Sequence, residues 1–120
     1  MKRIAVEEHF YTQSFISYLR TKKDYPRREI FEDEKHRKME RLLRSADPNN
    51  SVVLDPDETM RLFDLGQGRL TDMDEYGITM QVLSLCNPGV EGFEKAIGSD
   101  MATKTNDELA QAVGKHPDRF

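Results

Sequence analysis

Cysteine, tryptophan and long apolar runs are scarce or absent in this chain of 120 residues. It has one cysteine, Cys86, and no tryptophan. Because a single cysteine cannot close an internal disulfide, nothing points to an oxidising compartment, and we expect the cytoplasm. The apolar run behind Lys2 and Arg3 spans only residues 4–6. That run is too short for a signal peptide or a transmembrane span.

An excess of basic residues is also missing. The formal net charge is −4, so there is no electrostatic reason to expect a nucleic acid or an anionic membrane as partner. With 37% hydrophobic and 33% charged residues, the composition is typical of a soluble globular domain.

A short apolar run, residues 4–6, leads directly into Glu7, Glu8 and His9. Because side chains alternate between the faces of a strand, an extended segment places Glu7 and His9 on one face and Glu8 on the other. A carboxylate and an imidazole on one face make half of a divalent-metal site. The alternative is that charged residues simply end a surface strand, and the tripeptide alone does not separate the two.

Two segments are predicted to be strands, residues 3–9 and 79–85. The second is almost continuously apolar, which suits a strand covered on both faces, as in a parallel sheet. Helical patterns lie between and after these strands. We predict helices over 11–19, over 35–44, from residue 55, over 69–76 and from 91 or 93 to about 115, with a loop over 21–32.

Several residues carry signals for helix ends. Asp55 is a predicted N-cap with Pro56 at the first helical position. Gly77 follows a helical pattern, where a left-handed residue ends a helix. His116 and Pro117 are expected to stop the last helix.

The order of strand, helical excursion, strand and helix opens a βαβα series and predicts a parallel α/β sheet. Two strands do not make a sheet that covers two helices, and a third strand is expected just past Phe120. We therefore expect these residues to be the N-terminal part of something longer, since open strand edges otherwise need a partner.

Four segments carry a family resemblance and occur in the family's order: Lys2–Phe10, Arg69–Ile78, Val82–Val90, and Asn106–Ala110 followed by His116–Phe120. They resemble segments of the metal-dependent decarboxylases of the amidohydrolase superfamily. That group includes the aminocarboxymuconate-semialdehyde, γ-resorcylate, 2,3-dihydroxybenzoate and 5-carboxyvanillate decarboxylases. The resemblance covers nearly all of the chain except residues 20–60.

The resemblance implies a (β/α)₈ barrel, which typically needs about 250 residues. Residues 1–120 would be the N-terminal part of one such domain, with two strand–helix units and a helical insertion after strand one. Residues 20–60, the insertion, are expected to cover the active site or to join a subunit interface. A homo-oligomer, either a dimer or a tetramer, is implied for the full-length protein.

The resemblance also implies a metal site, because the family's first strand ends in a ligand-x-His pair that Glu7 and His9 match. A further His and an Asp come from later strands, and we assign no catalytic residue within residues 1–120. Two ligands fall short of the three usual for catalytic zinc, so this chain alone is expected to be inactive. The ligand set suits zinc or manganese.

The implied activity is redox-neutral removal of CO₂ from a small carboxylated aromatic ring or a dienoic acid. The divalent ion would hold the substrate carboxylate as Lewis acid and template. Two alternatives remain open: hydrolysis of a lactone or amide on the same barrel, and a non-catalytic interaction module that pairs its strand edges with a partner.

Residues just past the strand ends are candidates for contact with the substrate, because barrel active sites collect there. Phe10, Ser84 and Asn87 lie at such positions, although packing is the stronger expectation for Phe10. Three arginines are weaker candidates for binding a substrate carboxylate: Arg27, Arg28 and Arg44.

Overall fold

Five strands and four helices make up the structure, a computed structural model that describes residues 1–120. The strands form a two-stranded sheet and a separate three-stranded sheet. In chain order the elements are β1 (Ile4–Phe10), α1 (Gln13–Thr21), β2 (Arg27–Glu32), β3 (Lys38–Leu43), β4 (Ser51–Leu54), α2 (Pro56–Phe63), α3 (Gln67–Glu75), β5 (Met80–Leu85) and α4 (Lys95–Lys115).

The two predicted strands, β1 and β5, pair in parallel. This pairing confirms the expectation of a mixed α/β fold with a parallel sheet. The register places Ala5 opposite Gln81 and Glu8 opposite Leu83, so β1 advances three residues where β5 advances two. One extra residue in β1 therefore forms a β-bulge just before the strand tip.

The two faces of this sheet differ in burial. One face lies against the helices and carries Gln81 and Phe10, which are 7% and 1% exposed. The other face is open and apolar near its start, with exposed side chains at Ile4, Val6 and Val82.

The helix ends follow the predicted signals. The carboxylate of Asp55 accepts a hydrogen bond of 2.7 Å from the backbone N–H of Asp57 and caps α2, with Pro56 at the first turn. Gly77 follows α3 with a φ of +66°, the left-handed conformation that glycine adopts without steric cost. Helix α4 ends at Lys115, immediately before His116.

The main hydrophobic core lies between α1, the loop after β5 and the first half of α4. Aromatic rings dominate it, and the rings of Phe15 and Phe93 lie 6.0 Å apart. Its buried members are Tyr11, Phe15, Ile16, Leu19, Phe93 and Met101.

The prediction of a helical insertion is wrong between residues 27 and 54. The predicted loop over 21–32 contains β2, and the predicted helix over 35–44 contains β3. Strands β2, β3 and β4 form an antiparallel meander. The two helices predicted beside this segment, α1 and α2, are present.

Cross-strand pairing and a tight turn explain why the segment is a sheet. The carboxylate of Asp33 accepts hydrogen bonds from the backbone N–H groups of Lys35 and Arg37, at 2.9 and 2.8 Å. His36 adopts a positive φ of 56° inside this turn. The turn brings β3 back onto β2, where long-range pairs outweigh the helical spacing of the apolar residues in β3.

None of the four helices combines the length and the apolar composition that a membrane span requires.

Candidate functional site

The candidate metal ligands lie together on the open face of the parallel sheet. Glu7 and His9 are exposed, whereas Glu8 between them is half-buried. This alternation matches the predicted placement of Glu7 and His9 on one face. Ser84 of β5 lies opposite His9 in the register and is exposed on the same face.

The chemistry of this pair fits half of a divalent-metal site. The carboxylate of Glu7 and the imidazole of His9 are free of hydrogen bonds and ion pairs to other side chains, so both can bind a ligand. No group of three or more acidic, histidine or cysteine side chains within residues 1–120 is arranged to hold a metal ion. Completion of such a site therefore requires ligands from outside these residues.

A buried arginine fixes the backbone at the tip of β1. Nη2 of Arg69 donates a hydrogen bond of 2.9 Å to the carbonyl oxygen of His9, and Nη1 donates one of 3.1 Å to Oε1 of Gln81. Nε of the same side chain donates to the carbonyl oxygen of Asp64 at 2.7 Å. Arg69 thus ties β1, β5 and the start of α3 together on the side opposite the open face.

Glu8 points to this helix-facing side. It lines a cavity of about 670 Å³ together with Arg69, Asp72 and Gln81. Burial lowers the pKa of Arg69, and the nearby charge of Glu8 partly opposes that effect. Glu8 is therefore an electrostatic partner of Arg69, in keeping with its predicted position away from the metal.

The three candidate substrate contacts occupy different surroundings. Phe10 is 1% exposed, lies opposite Leu85 and packs on the helix-facing side, away from the face that carries Glu7. Ser84 is exposed on the open face, and Asn87 is exposed in the loop after β5. The structure thus brings Ser84, but not Phe10, onto the face of the candidate ligands.

The three-stranded sheet contacts the end of β1 through a buried arginine. Arg28 of β2 is 2% exposed, and its guanidinium carbon lies 4.8 Å from the centre of the Tyr11 ring. Nη1 of Arg28 lies 3.5 Å from Oε2 of Glu40. Burial raises the pKa of Tyr11 well above its usual range, and a hydrogen bond to Cys86 adds to this effect. Arg27 is half-buried, and Arg44 is exposed.

Sequence reasoning assigned no role to Arg69, which lies beside the tip of β1. Arg69 begins a segment that carries the family resemblance, which is the one signal that singled it out. Its role depends on hydrogen bonds to carbonyl groups of residues distant in sequence, and no local pattern encodes those partners.

Comparison with curated proteins finds relatives over half of the chain. The γ-resorcylate decarboxylase of Rhodococcus jostii is 43% identical over 61 residues, which is 50% of this chain and 18% of that protein. The match thus spans about a fifth of the relative's length. No protein-family model matches the chain.

Solved structures match the fold over the whole chain. The 5-carboxyvanillate decarboxylase of Sphingomonas paucimobilis has a TM-score of 0.71 and 30% identity, covering 100% of this chain and 33% of that protein. The enzyme of the same name from Novosphingobium aromaticivorans has a TM-score of 0.68 and 28% identity, covering 100% of this chain and 32% of that protein. That structure is complexed with manganese and 4-hydroxy-3-methoxy-5-nitrobenzoic acid. A 2,6-dihydroxybenzoate decarboxylase complexed with 2,6-dihydroxybenzoate has a TM-score of 0.62 and 25% identity, covering 100% of this chain and 28% of that protein.

Both comparisons agree with the motifs and with the parallel β1–β5 pair. They favour the decarboxylases over the hydrolytic and interaction-module alternatives. The resemblance of this chain to the metal-dependent decarboxylases of the amidohydrolase superfamily is therefore confirmed in both sequence and fold.

Proposed function

We propose that this chain is part of a metal-dependent decarboxylase that acts on a hydroxylated aromatic carboxylic acid. The observation that carries the proposal is the shared exposure of Glu7 and His9 at the tip of β1, in a fold similar to decarboxylases of this type. The matched structures are about three times as long, and we propose that further strands of the same barrel supply the remaining ligands and the catalytic acid.

We propose Glu7 and His9 as ligands of a divalent metal, with manganese favoured over zinc because three of the matched decarboxylase structures contain manganese. When bound, such an ion supplies a Lewis acid that holds the substrate carboxylate and an adjacent ring hydroxyl. The carboxylate of Glu7 supplies negative charge, and the imidazole of His9 must be neutral to bind the ion.

Other residues of this chain position those ligands. Arg69 holds the carbonyl oxygen of His9, which fixes the backbone from which both ligands project. The exposed hydroxyl of Ser84, next to His9, is a candidate hydrogen-bond donor to a substrate oxygen. We propose a second contact from Asn87, and we assign Phe10 to packing.

We further propose that the three-stranded sheet, β2 to β4, covers the active site of the complete enzyme. The contact of Arg28 with Tyr11 supports this position, because Tyr11 directly follows β1. The exposed apolar residues Ile30 and Val53 of this sheet favour a contact with another subunit, as in a homo-oligomer.

The test is turnover by the intact protein supplied with manganese. Release of CO₂ is measured with 2,6-dihydroxybenzoate, 2,3-dihydroxybenzoate and 5-carboxyvanillate as substrates. We expect decarboxylation of at least one of them. The rate of CO₂ release should fall by at least about a hundredfold in Glu7→Gln and in His9→Gln, because removal of a ligand weakens both the binding of the ion and the orientation of the substrate by the ion.

Matched variants elsewhere control for general damage. Glu34→Gln and His36→Gln change the same residue types in the exposed turn between β2 and β3, and both should keep full turnover. Manganese content after dialysis is measured in all four variants. Unchanged manganese content in both Glu7→Gln and His9→Gln would rule out this metal site, and hydrolysis of lactones without CO₂ release would rule out the proposed reaction.

A further inference from the structure

A second cavity lies between the end of α1 and the start of β2. Neither candidate metal ligand, Glu7 nor His9, lines it. Its volume is about 490 Å³, and five of its seven lining residues are basic. These five are Arg20, Lys22, Lys23, Arg27 and Arg28. Such a concentration of cations is unusual in a chain whose formal net charge is −4.

The carboxylates near this cavity do not balance its cations. Glu40 accepts hydrogen bonds from Arg20 at 2.8 and 3.0 Å and is also the counter-ion of Arg28. Glu29 pairs with Arg27 at 2.6 Å. Asp24 pairs with Lys22 at 3.1 Å. Three carboxylates thus serve five cations, which leaves two positive charges in excess.

Arg28 shows that the excess reaches a buried side chain. It is 2% exposed, and neither Nη1 nor Nη2 donates a hydrogen bond. The contact of Nη1 with Glu40, at 3.5 Å, is an ion pair without hydrogen-bond alignment. A buried donor without an acceptor costs free energy, and an oxyanion in the cavity would supply acceptors.

The arrangement also offers donors of two kinds. Nη1 and Nη2 of Arg27 donate to the carbonyl oxygen of Lys23 and to Glu29, each at 2.6 Å, whereas its Nε is buried without an acceptor. The planar guanidinium matches the geometry of carboxylate and phosphate oxygens. Lys23 is exposed at the rim and has no carboxylate partner, so its ammonium group is free to bind an anion.

We propose that this cavity binds a small oxyanion that carries two negative charges, of the phosphate or dicarboxylate class. The site uses Lys23, Arg27 and Arg28 as donors and is independent of the ligands on the open face of β1. Its charge excess of two selects a dianion over a monoanion.

The test is calorimetric titration of the intact protein with inorganic phosphate, after removal of divalent metal and at constant ionic strength. Sulfate should bind as phosphate does, and nitrate, a monoanion, should bind much more weakly. The double variant Lys23→Gln/Arg27→Gln should lose about tenfold in affinity, from the loss of two partly exposed charge pairs. Glu29→Gln should gain about threefold, because it removes a competing carboxylate.

A matched double variant separates a built site from general attraction. Arg37→Gln/Lys104→Gln removes the same charge from exposed positions outside the cavity and should leave phosphate affinity unchanged. Glu7→Gln should also leave it unchanged, so failure of the metal proposal and failure of this one are distinguishable. Equal losses in the two double variants, equal binding of nitrate and sulfate, or no phosphate binding would each overturn the site. Isophthalate, an aromatic dicarboxylate, is titrated in the same way to identify which class of dianion binds more tightly.

Discussion

Replacement of Arg69 by methionine should destabilise the protein strongly, although Arg69 belongs to neither proposed ligand site. Methionine keeps much of the length and packing of the side chain but removes every hydrogen bond from it. Three acceptors within 3.1 Å then lose their donor: the carbonyl oxygens of His9 and Asp64, and Oε1 of Gln81. A fourth, longer bond to the carbonyl oxygen of Arg61, at 3.5 Å, is lost as well and is left out of the sum below. Gln81 is 7% exposed, so water does not readily replace its lost partner.

The magnitude follows from those three bonds. A hydrogen bond from a charged donor contributes about 1.5 to 3 kcal/mol, so three bonds give roughly 4.5 kcal/mol at the lower end of the range. The free energy of burying the guanidinium, which also lowers the pKa of Arg69, offsets part of this sum. We expect a net loss of about 3 kcal/mol in the free energy of unfolding for Arg69→Met.

Urea unfolding of the intact protein, followed by circular dichroism, measures this loss. Arg69→Lys keeps the charge but not the planar fork, and it should recover only about 1 kcal/mol. Arg61→Met is the matched control, because the Arg61 side chain is 76% exposed, and it should change stability by less than about 0.5 kcal/mol. If Arg69→Met costs no more than Arg61→Met, the hydrogen bonds at the tip of β1 do not stabilise the fold as argued.

Two further predictions concern single residues. Gly77→Ala should lower the free energy of unfolding by about 1 to 2 kcal/mol, because φ is +66° at this position. Gly114→Ala in helix α4 meets no neighbouring atom and should raise the free energy of unfolding by up to about 1 kcal/mol. Thermal unfolding of both variants checks the contrast, and equal effects would contradict it. The folded-state pKa of Tyr11 is raised by burial, so above pH about 10 the unfolded chain loses a proton that the folded chain keeps, and stability falls. The free energy of unfolding of Tyr11→Phe, measured by urea titration, should fall less steeply as the pH rises from neutral to alkaline. Identical pH slopes for this variant and the unchanged protein would contradict the argument.

Segments with strong local signals were predicted correctly. The parallel strands, the cap at Asp55 and the left-handed Gly77 each depend on residues that are adjacent in sequence. The alternation that places Glu7 and His9 on one side likewise needs only the strand itself. These features follow from backbone geometry and from the chemistry of short side chains at helix ends.

The three-stranded sheet was missed because its stability is not local. Met39, Leu42 and Leu43 have the spacing of a helix face, but in the sheet Leu42 lies opposite Arg28. Glu40 is 7% exposed and depends on two arginines that approach it from other elements. Interleaved charges at this spacing favour a solvated helix surface, whereas in the structure some of them form buried pairs.

The bulge in β1 sets the phase of the whole strand tip. Ile4 and Val6 share the open face with Glu7 and His9 only because one residue is inserted between the two halves of the strand. If the same residues paired in regular pleating, without that insertion, the roles of neighbours would be exchanged, so that Glu8 faced outward while Glu7 and His9 turned toward the helices. One inserted amino acid thus decides which acidic side chain is available for chemistry and which supports Arg69.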